Sequence, residues 1–243
     1  MDKRKSAKRR VRRNKYKMRL DLLEAVRDVL KEKGFVNLNI NNVAQMADVD
    51  RNAIYRHFGT FDNLLSQYMQ SKNYLLDWLD KVKDEEVDNH RVFLKQLINN
   101  QYDALNRNSE MQQLIVWELA ELSLRTKTMA QHREILAEKW MKQFEEYFAD
   151  SQIDINVVTA IIISGVYFLT IHKHHSNFFM IDFVKEKERI LKGIEQLIDV
   201  IFDARKEQIT RKTIALRALY QGLDKQMVAE ITGLTLNDIE NIS

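Results

Sequence analysis

An all-α fold is what this sequence predicts, and three observations predict it. Apolar residues recur at helical spacing along most of the 243 residues, and no stretch sustains the alternation of a strand. Proline is absent and glycine occurs only six times, so little interrupts long helices. Hydrophobic residues make up 45% of the chain, enough to bury a packed core in one large domain or two smaller ones.

The elements follow in order. From about Lys15, the stripe Leu22/Leu23, Val26 and Val29/Leu30 marks a first helix, which Gly34 ends as a residue tolerant of positive φ. Two short helices are expected at 41–46 and 51–58. A fourth, capped by Thr60, starts at about Phe61 and runs past Trp78. The middle of the chain predicts helices over 91–106, 111–124 and 129–148, then 154–172 and 182–207, with breaks at 106–109 and 176–177. A compact unit at 210–243 closes the chain. Four segments result: a basic arm (1–15), a small helical front domain (16–76), a helical bundle (77–207) and a C-terminal extension (208–243).

Charge separates these segments. The formal net charge is only +3, yet residues 1–19 hold eleven Lys/Arg against the single acid Asp2. The other 224 residues carry 27 basic and 34 acidic side chains. A strongly basic arm on a mildly acidic body points to a polyanion held at one end. Alone, such an arm is expected to be unstructured. No apolar run follows it, so it does not read as a secretory signal. Residues 155–171 are uncharged but fall short of the ~20 needed to span a bilayer. A buried helix and a cytoplasmic protein without a membrane partner are expected.

Chemistry is excluded more easily than it is found. Without cysteine there is no disulfide framework, thiolate nucleophile or cysteine-based zinc site. No G-x-G-x-x-G, P-loop or H-E-x-x-H pattern occurs, and Glu145-Glu146 reads as a solvated helix face. His172 and His175 share a face at i,i+3, but with His174 they read as a basic helix C-terminus and not as a metal site. No enzyme activity, cofactor or metal is expected.

The informative stretch is NINNVAQMADVDRNAIYRHF, residues 39–58. Val43 and the small Ala44 suit the crossing of two short helices. Asp48 supplies a turn residue that tolerates φ > 0. Val49 and Ile54 wedge the second helix against the first, and Asp50 caps it, leaving Arg51, Asn52, Ala53 and Arg56 along an outward face. This is a helix-turn-helix pattern. With Gly34-Phe35, Ala47, Ile54-Tyr55, His57-Phe58, Thr60 and Leu64, residues 16–76 resemble the DNA-binding domain of the tetracycline-repressor (TetR) family.

The resemblance implies roles. Asn39 stands where the family has a phosphate-contacting Ser/Thr. Arg51, Asn52 and Ala53 fall at base-reading positions, Tyr55 and His57 at phosphate-contacting ones, and Arg56 lies among them. The chemistry agrees: Arg pairs with guanine, Asn with adenine, and a methyl touches thymine. Tyr and His suit backbone oxygens. Three positions depart from the pattern. Asp48 replaces the turn glycine, Asn52 replaces a common glycine, and Phe61 stands where a phosphate-binding Lys is frequent.

The resemblance also implies that helices 154–172 and 182–207 build a homodimer across a two-fold axis. A palindromic operator would then be expected. The first of these helices is apolar nearly all round, and Ser164-Gly165 permits close approach. A pocket for a small effector is implied by the family alone. Tyr102, Met111, Trp117, Trp140, Phe144 and Tyr167 are aromatic or flexible enough to line one, but each by itself reads first as ordinary core, and no ligand-binding residue is assigned. In the tail, Val228-Ala229, Gly233 and Ile239 repeat the spacing of Val43-Ala44, Asp48 and Ile54. Its second helix offers Asn237, Asp238, Glu240 and Asn241, which suits protein contact better than phosphate. The expectation is a dimeric, effector-released repressor. The alternative is a DNA-bound adaptor that recruits a protein through its body or tail.

Overall fold

The computed structural model describes residues 2–71, 89–173 and 175–242. Regular structure among them is helical, apart from one isolated bridge pairing Phe178 with Ile181. The chain divides into two compact units. One comprises residues 1–81, 100–137 and 170–172, the other residues 82–99, 138–169 and 173–243.

In the first unit, α1 (Asp2–Lys33) begins well before Lys15. The basic arm, expected to be unstructured, therefore has a helical backbone. Lys, Arg and Ala are strong helix formers, and no Gly or Pro interrupts residues 2–33. The predicted stripe is the buried side of α1: Leu22, Ala25, Val26, Val29 and Leu30 are all buried. Gly34, at φ 75°, ends the helix, and a 3-10 turn (Phe35–Asn37) leads to α2 (Ile40–Met46). Then come α3 (Arg51–Phe58) and α4 (Phe61–Gln70), whose cap Thr60 accepts from the Asn63 N–H at 3.0 Å. α4 ends at Gln70. Its expected run past Trp78, and the boundary at residue 76, lie outside the described residues.

The core of this unit is Val43, Ala44, Ile54, Phe58, Leu64, Leu65 and Tyr68 packed on the α1 stripe. Leu114 and Trp117, from α6 (Ser109–Ala120), complete it. α5 (His90–Arg107) precedes α6, and Asn108 caps α6 by accepting from Met111 N at 3.1 Å. The next break falls at 121–123, earlier than expected. Ser123 and Thr126 cap one another's backbone there and start α7 (Leu124–Phe148).

In the second unit, Phe93 stacks on Phe144 with centroids 5.6 Å apart, and Tyr147 and Phe148 meet Phe202. Arg91 pairs with Asp203 at 2.5 Å and Lys95 with Asp199 at 2.7 Å, while Asn99 donates to Glu195 at 2.8 Å. α8 (Ile155–His172) is capped by Asp154, which accepts from Val157 N. By length and composition this helix is long and apolar enough to cross a membrane, and 28% of its residues are buried. Within one chain its burial is partial: Val157, Ile161 and Phe168 are exposed.

α9 (Lys187–Tyr220) starts five residues later than expected and runs thirteen further, through the boundary placed at 207/208. Good helix formers continue to Gln221, and the first glycine after Gly193 is Gly222, at φ 84°. α10 (Lys225–Thr232) and α11 (Leu236–Ile242) then fold onto the end of α9 around Ala215, Val228 and Ile239.

Candidate nucleic-acid interface

α2 and α3 are held at their crossing by short-range bonds that the sequence encodes directly. Asn39 caps α2, its Oδ1 accepting from Asn41 N at 3.1 Å and Asn42 N at 3.0 Å. Asp48 takes φ 53°, and the Val49 N–H closes the turn onto the Ala44 carbonyl at 3.0 Å. A short polar side chain tolerates this left-handed backbone, which explains how Asp serves in place of glycine. Asp50 caps α3 through the Ala53 N–H at 3.1 Å. Val43 and Ile54 are fully buried at the crossing, with Ala44 beside them and Val49 half-buried against the same core.

This geometry sorts the expected reading residues. Arg51, Asn52, Tyr55 and Arg56 are all exposed and lie at i, i+1, i+4 and i+5, one continuous edge of α3. Ala53 is a correction: at 4% exposure it faces inward with Ile54 and Phe58, so its methyl is not on the outward edge. Position 53 lies one residue before Ile54, on the side of the helix that packs. Asn39 is exposed, and its side chain is committed to the cap. Arg56 sits 3.7 Å from Asp50, both largely exposed, a pairing weak enough to yield to a phosphate or base.

His57 is half-buried, and its Nδ1 has no hydrogen-bond partner among the described residues. Burial first, then the charges of Lys15, Arg19 and Arg56, hold its imidazole below the usual histidine range. Arg19 explains part of that field. It donates to the His57 carbonyl and to Gln67 Oε1, and its guanidinium lies 4.2 Å from the centre of the Phe58 ring. Counted in the sequence as one of eleven arm cations, Arg19 instead braces α3. Its place three residues before Leu22, on the buried stripe of α1, is the signal that marks it.

A second cluster in this unit escaped the sequence reading. Glu110 on α6 is 3% exposed, accepts a hydrogen bond from the buried Tyr68 hydroxyl of α4, and lies 4.0 Å from Lys31 of α1. Burial pushes its carboxyl up to about 7, against the pull of Lys31 and Arg27. Trp117, a candidate for a ligand pocket, belongs to this core and donates to Glu121 at 2.8 Å. Phe144 is likewise taken up by the aromatic stack of the second unit. Among the described residues no group of three or more His, Asp or Glu could hold a metal, and His174 lies outside them.

The sequence model of bacterial regulatory proteins of the tetR family matches residues 22–68, which span α1 from the first buried leucine to Tyr68 of α4. The N-terminal domain is that of a tetR family regulatory protein. Among solved structures, NalD of Pseudomonas aeruginosa, the secondary repressor of the MexAB-OprM multidrug efflux pump, is 16% identical with a TM-score of 0.46. That alignment covers 75% of this chain and 96% of NalD. A probable transcriptional regulatory protein, RHA5900, is also 16% identical, with a TM-score of 0.45 and coverage of 76% and 97%. No curated protein sequence matches the chain. The helix-turn-helix of α2 and α3 lies wholly within the matched residues.

The tail carries the same local design. Asp224 caps α10 at the position equivalent to Asn39, and Gly233, at φ 68°, takes the turn position of Asp48. Thr235 caps α11 where Asp50 caps α3, with Asp238 returning a bond to the Thr235 N–H at 3.1 Å. Val228 and Ile239 are buried like Val43 and Ile54. Residues 224–242 thus fold as a second helix-turn-helix. Its edge offers Leu236, Asn237, Glu240 and Asn241 where α3 offers Arg51, Asn52, Tyr55 and Arg56.

Proposed function

We propose that the protein is a dimeric, sequence-specific repressor of the cytoplasm that reads a palindromic operator with α3 and is released by a small effector. One observation carries the DNA-reading part: Arg51, Asn52, Tyr55 and Arg56 form a single exposed edge on a helix fixed at both ends by its own caps. Arg51 and Asn52, at its N-terminal end, supply guanine and adenine contacts in the major groove, while Tyr55 and His57 take phosphates. The exposed apolar face of α8 supports the dimer, because Val157, Ile161 and Phe168 are left uncovered in one chain.

Selecting genomic fragments on the purified protein tests the reading. A palindromic consensus with half-sites about one DNA turn apart is expected. Arg51→Ala should then lose about 1–3 kcal/mol on that consensus and relax preference at one base position. Equal weakening on every sequence would show that Arg51 does not read bases.

His57 adds a pH signature. Its imidazole is held low in the free protein, and a phosphate beside it would raise the value again. DNA binding then takes up a proton, so affinity should rise as pH falls from 8 towards 6. His57→Gln should flatten that profile in a filter-binding titration, and an unchanged profile would remove His57 from the phosphate contacts.

A second reading is favoured by the C-terminal helix-turn-helix. Residues 222–243 carry one Lys against four acids, so phosphate would repel this unit. In this reading the protein is a DNA-bound adaptor that recruits a protein through the tail. Removing residues 222–243 separates the two: loss of a captured protein with operator binding intact favours the adaptor, whereas release of operator by a small molecule favours the repressor.

A further inference from the structure

Glu110 stands two residues after Asn108, the cap of α6, where the helix N-terminus and open water ordinarily favour a carboxylate. Instead its side chain is buried. Glu110, Gln113, Leu114 and Trp117 follow one another at i, i+3, i+4 and i+7, one stripe of α6. Leu114 and Trp117 are part of the core built on the α1 stripe, so the two polar members of the stripe face the same way.

Each polar member holds a different part of the helix-turn-helix frame. Glu110 Oε1 accepts from the Tyr68 hydroxyl of α4, and its Oε2 lies 4.0 Å from Lys31 Nζ of α1. One turn further on, Gln113 Oε1 accepts from the Phe35 N–H at 3.2 Å. It closes over Gly34, where a Cβ would stand 3.1 Å from the same oxygen. Phe35 opens the 3-10 turn that leads into α2. One face of α6 therefore grips α4 and the entry to the helix-turn-helix together. The charges acting on Glu110 come from Lys31, Arg27 and Asp28 of α1, while the turn and α7 bring Phe35 and Met129 to this core.

We propose that Glu110 is a proton-operated latch on DNA binding: protonated, it keeps α6 seated on α1 and α4 with Gln113 on the Phe35 turn, and loss of its proton to water loosens both. The inference rests on the DNA-reading role given to α3 and adds a regulator to it, the proton. Burial holds the acid at about 7, so the latch changes state close to neutral pH. Ionised, the carboxylate is poorly compensated, because Lys31 is half exposed and stays largely solvated. It therefore favours any opening that admits water, and the opening that does so is the lifting of α6. Gln113 is carried away from Phe35 in the same movement, and α2 and α3 lose the contact that sets their entry.

The test compares the full-length protein with Glu110→Gln on a duplex carrying the consensus selected from genomic fragments at pH 6. Glutamine keeps the shape of the protonated acid and cannot ionise. The two affinities should agree at pH 6, and by pH 8 Glu110→Gln should bind about tenfold more tightly, the factor by which the protonated fraction falls. His57 acts on both proteins alike and drops out of the ratio. Hydrogen exchange reads the latch without DNA. Corrected for the intrinsic rise of exchange with pH, peptides over residues 31–38 and 109–117 should lose protection between pH 6 and 8 in the wild type and keep it in Glu110→Gln. An affinity ratio that does not change with pH overturns the latch, as does protection that falls equally in both proteins. Absence of any sequence-specific binding at pH 6 overturns the DNA reading instead, and the regulatory role with it, even where the exchange difference remains.

Discussion

Deleting residues 2–13 should weaken operator binding by roughly two to four orders of magnitude at 50 mM salt and flatten its salt dependence. These twelve residues hold eight Lys/Arg and one Asp. As part of α1 they are helical, so the charges are strung along about 18 Å at the usual rise per residue. A duplex presents about one phosphate per 1.7 Å of its axis over the same distance. If four of the eight cations each neutralise one phosphate, the slope of log affinity against log salt falls by about 3 to 4. The same change makes the deficit shrink by roughly a hundredfold between 50 and 200 mM.

Preference among operator sequences should survive the deletion, since Arg51, Asn52, Tyr55 and Arg56 are untouched. A salt slope equal to that of the full chain would show that the arm does not meet phosphate. Arg19 must be kept in the truncated protein. It braces His57 and Phe58, so its loss would disturb α3 itself and mix a structural effect with an electrostatic one.

What could be read from the sequence was what is encoded locally. Asp50 and Thr60 were legible as caps because each accepts from a backbone N–H three residues ahead, whereas the capping role of Asn39 was not read. Asp48 was legible as a turn because few residues tolerate positive φ. The tail repeat was legible for the same reasons. Faces and lengths were harder. Ala53 is small enough to suit either side of α3, and only the register set by Ile54 and Phe58 turns it inward.

The length of α9 depends on where glycine next occurs, and polar residues such as Glu207 and Gln208 suggest an end that the backbone does not make. The turn at Phe179-Met180 was invisible, since neither residue belongs to any turn signature. Glu110 was invisible too. It stands two residues after its helix cap, where an acid is ordinary, and its partner Tyr68 is 42 residues away.

Glu110→Gln should abolish a pH dependence of stability worth roughly 3 kcal/mol. In the folded chain the carboxyl titrates at about 7, against 4.5 for an unperturbed glutamate. Between those values the native state keeps a proton that the unfolded chain has released, so the group's contribution is complete below about pH 4.5 and is lost as pH rises to 7. Above that, a buried carboxylate persists with only Lys31, at 4.0 Å, and the Tyr68 hydroxyl to offset its desolvation. Glutamine has the shape of the protonated acid, and its carbonyl accepts from Tyr68 in the same way.

Urea midpoints should therefore coincide for the two proteins near pH 4 and separate by pH 8, with Glu110→Gln the more stable. The comparison must be a difference. His57, held low, works in the opposite sense, adding stability as pH rises through about 6.5, and it does so equally in both proteins. Parallel pH profiles would mean that Glu110 is ionised and solvated in the native state. A gap that opens between about pH 4.5 and 7 places the titrating group in the core shared by α1, α4 and α6, the same core that holds α3 in place.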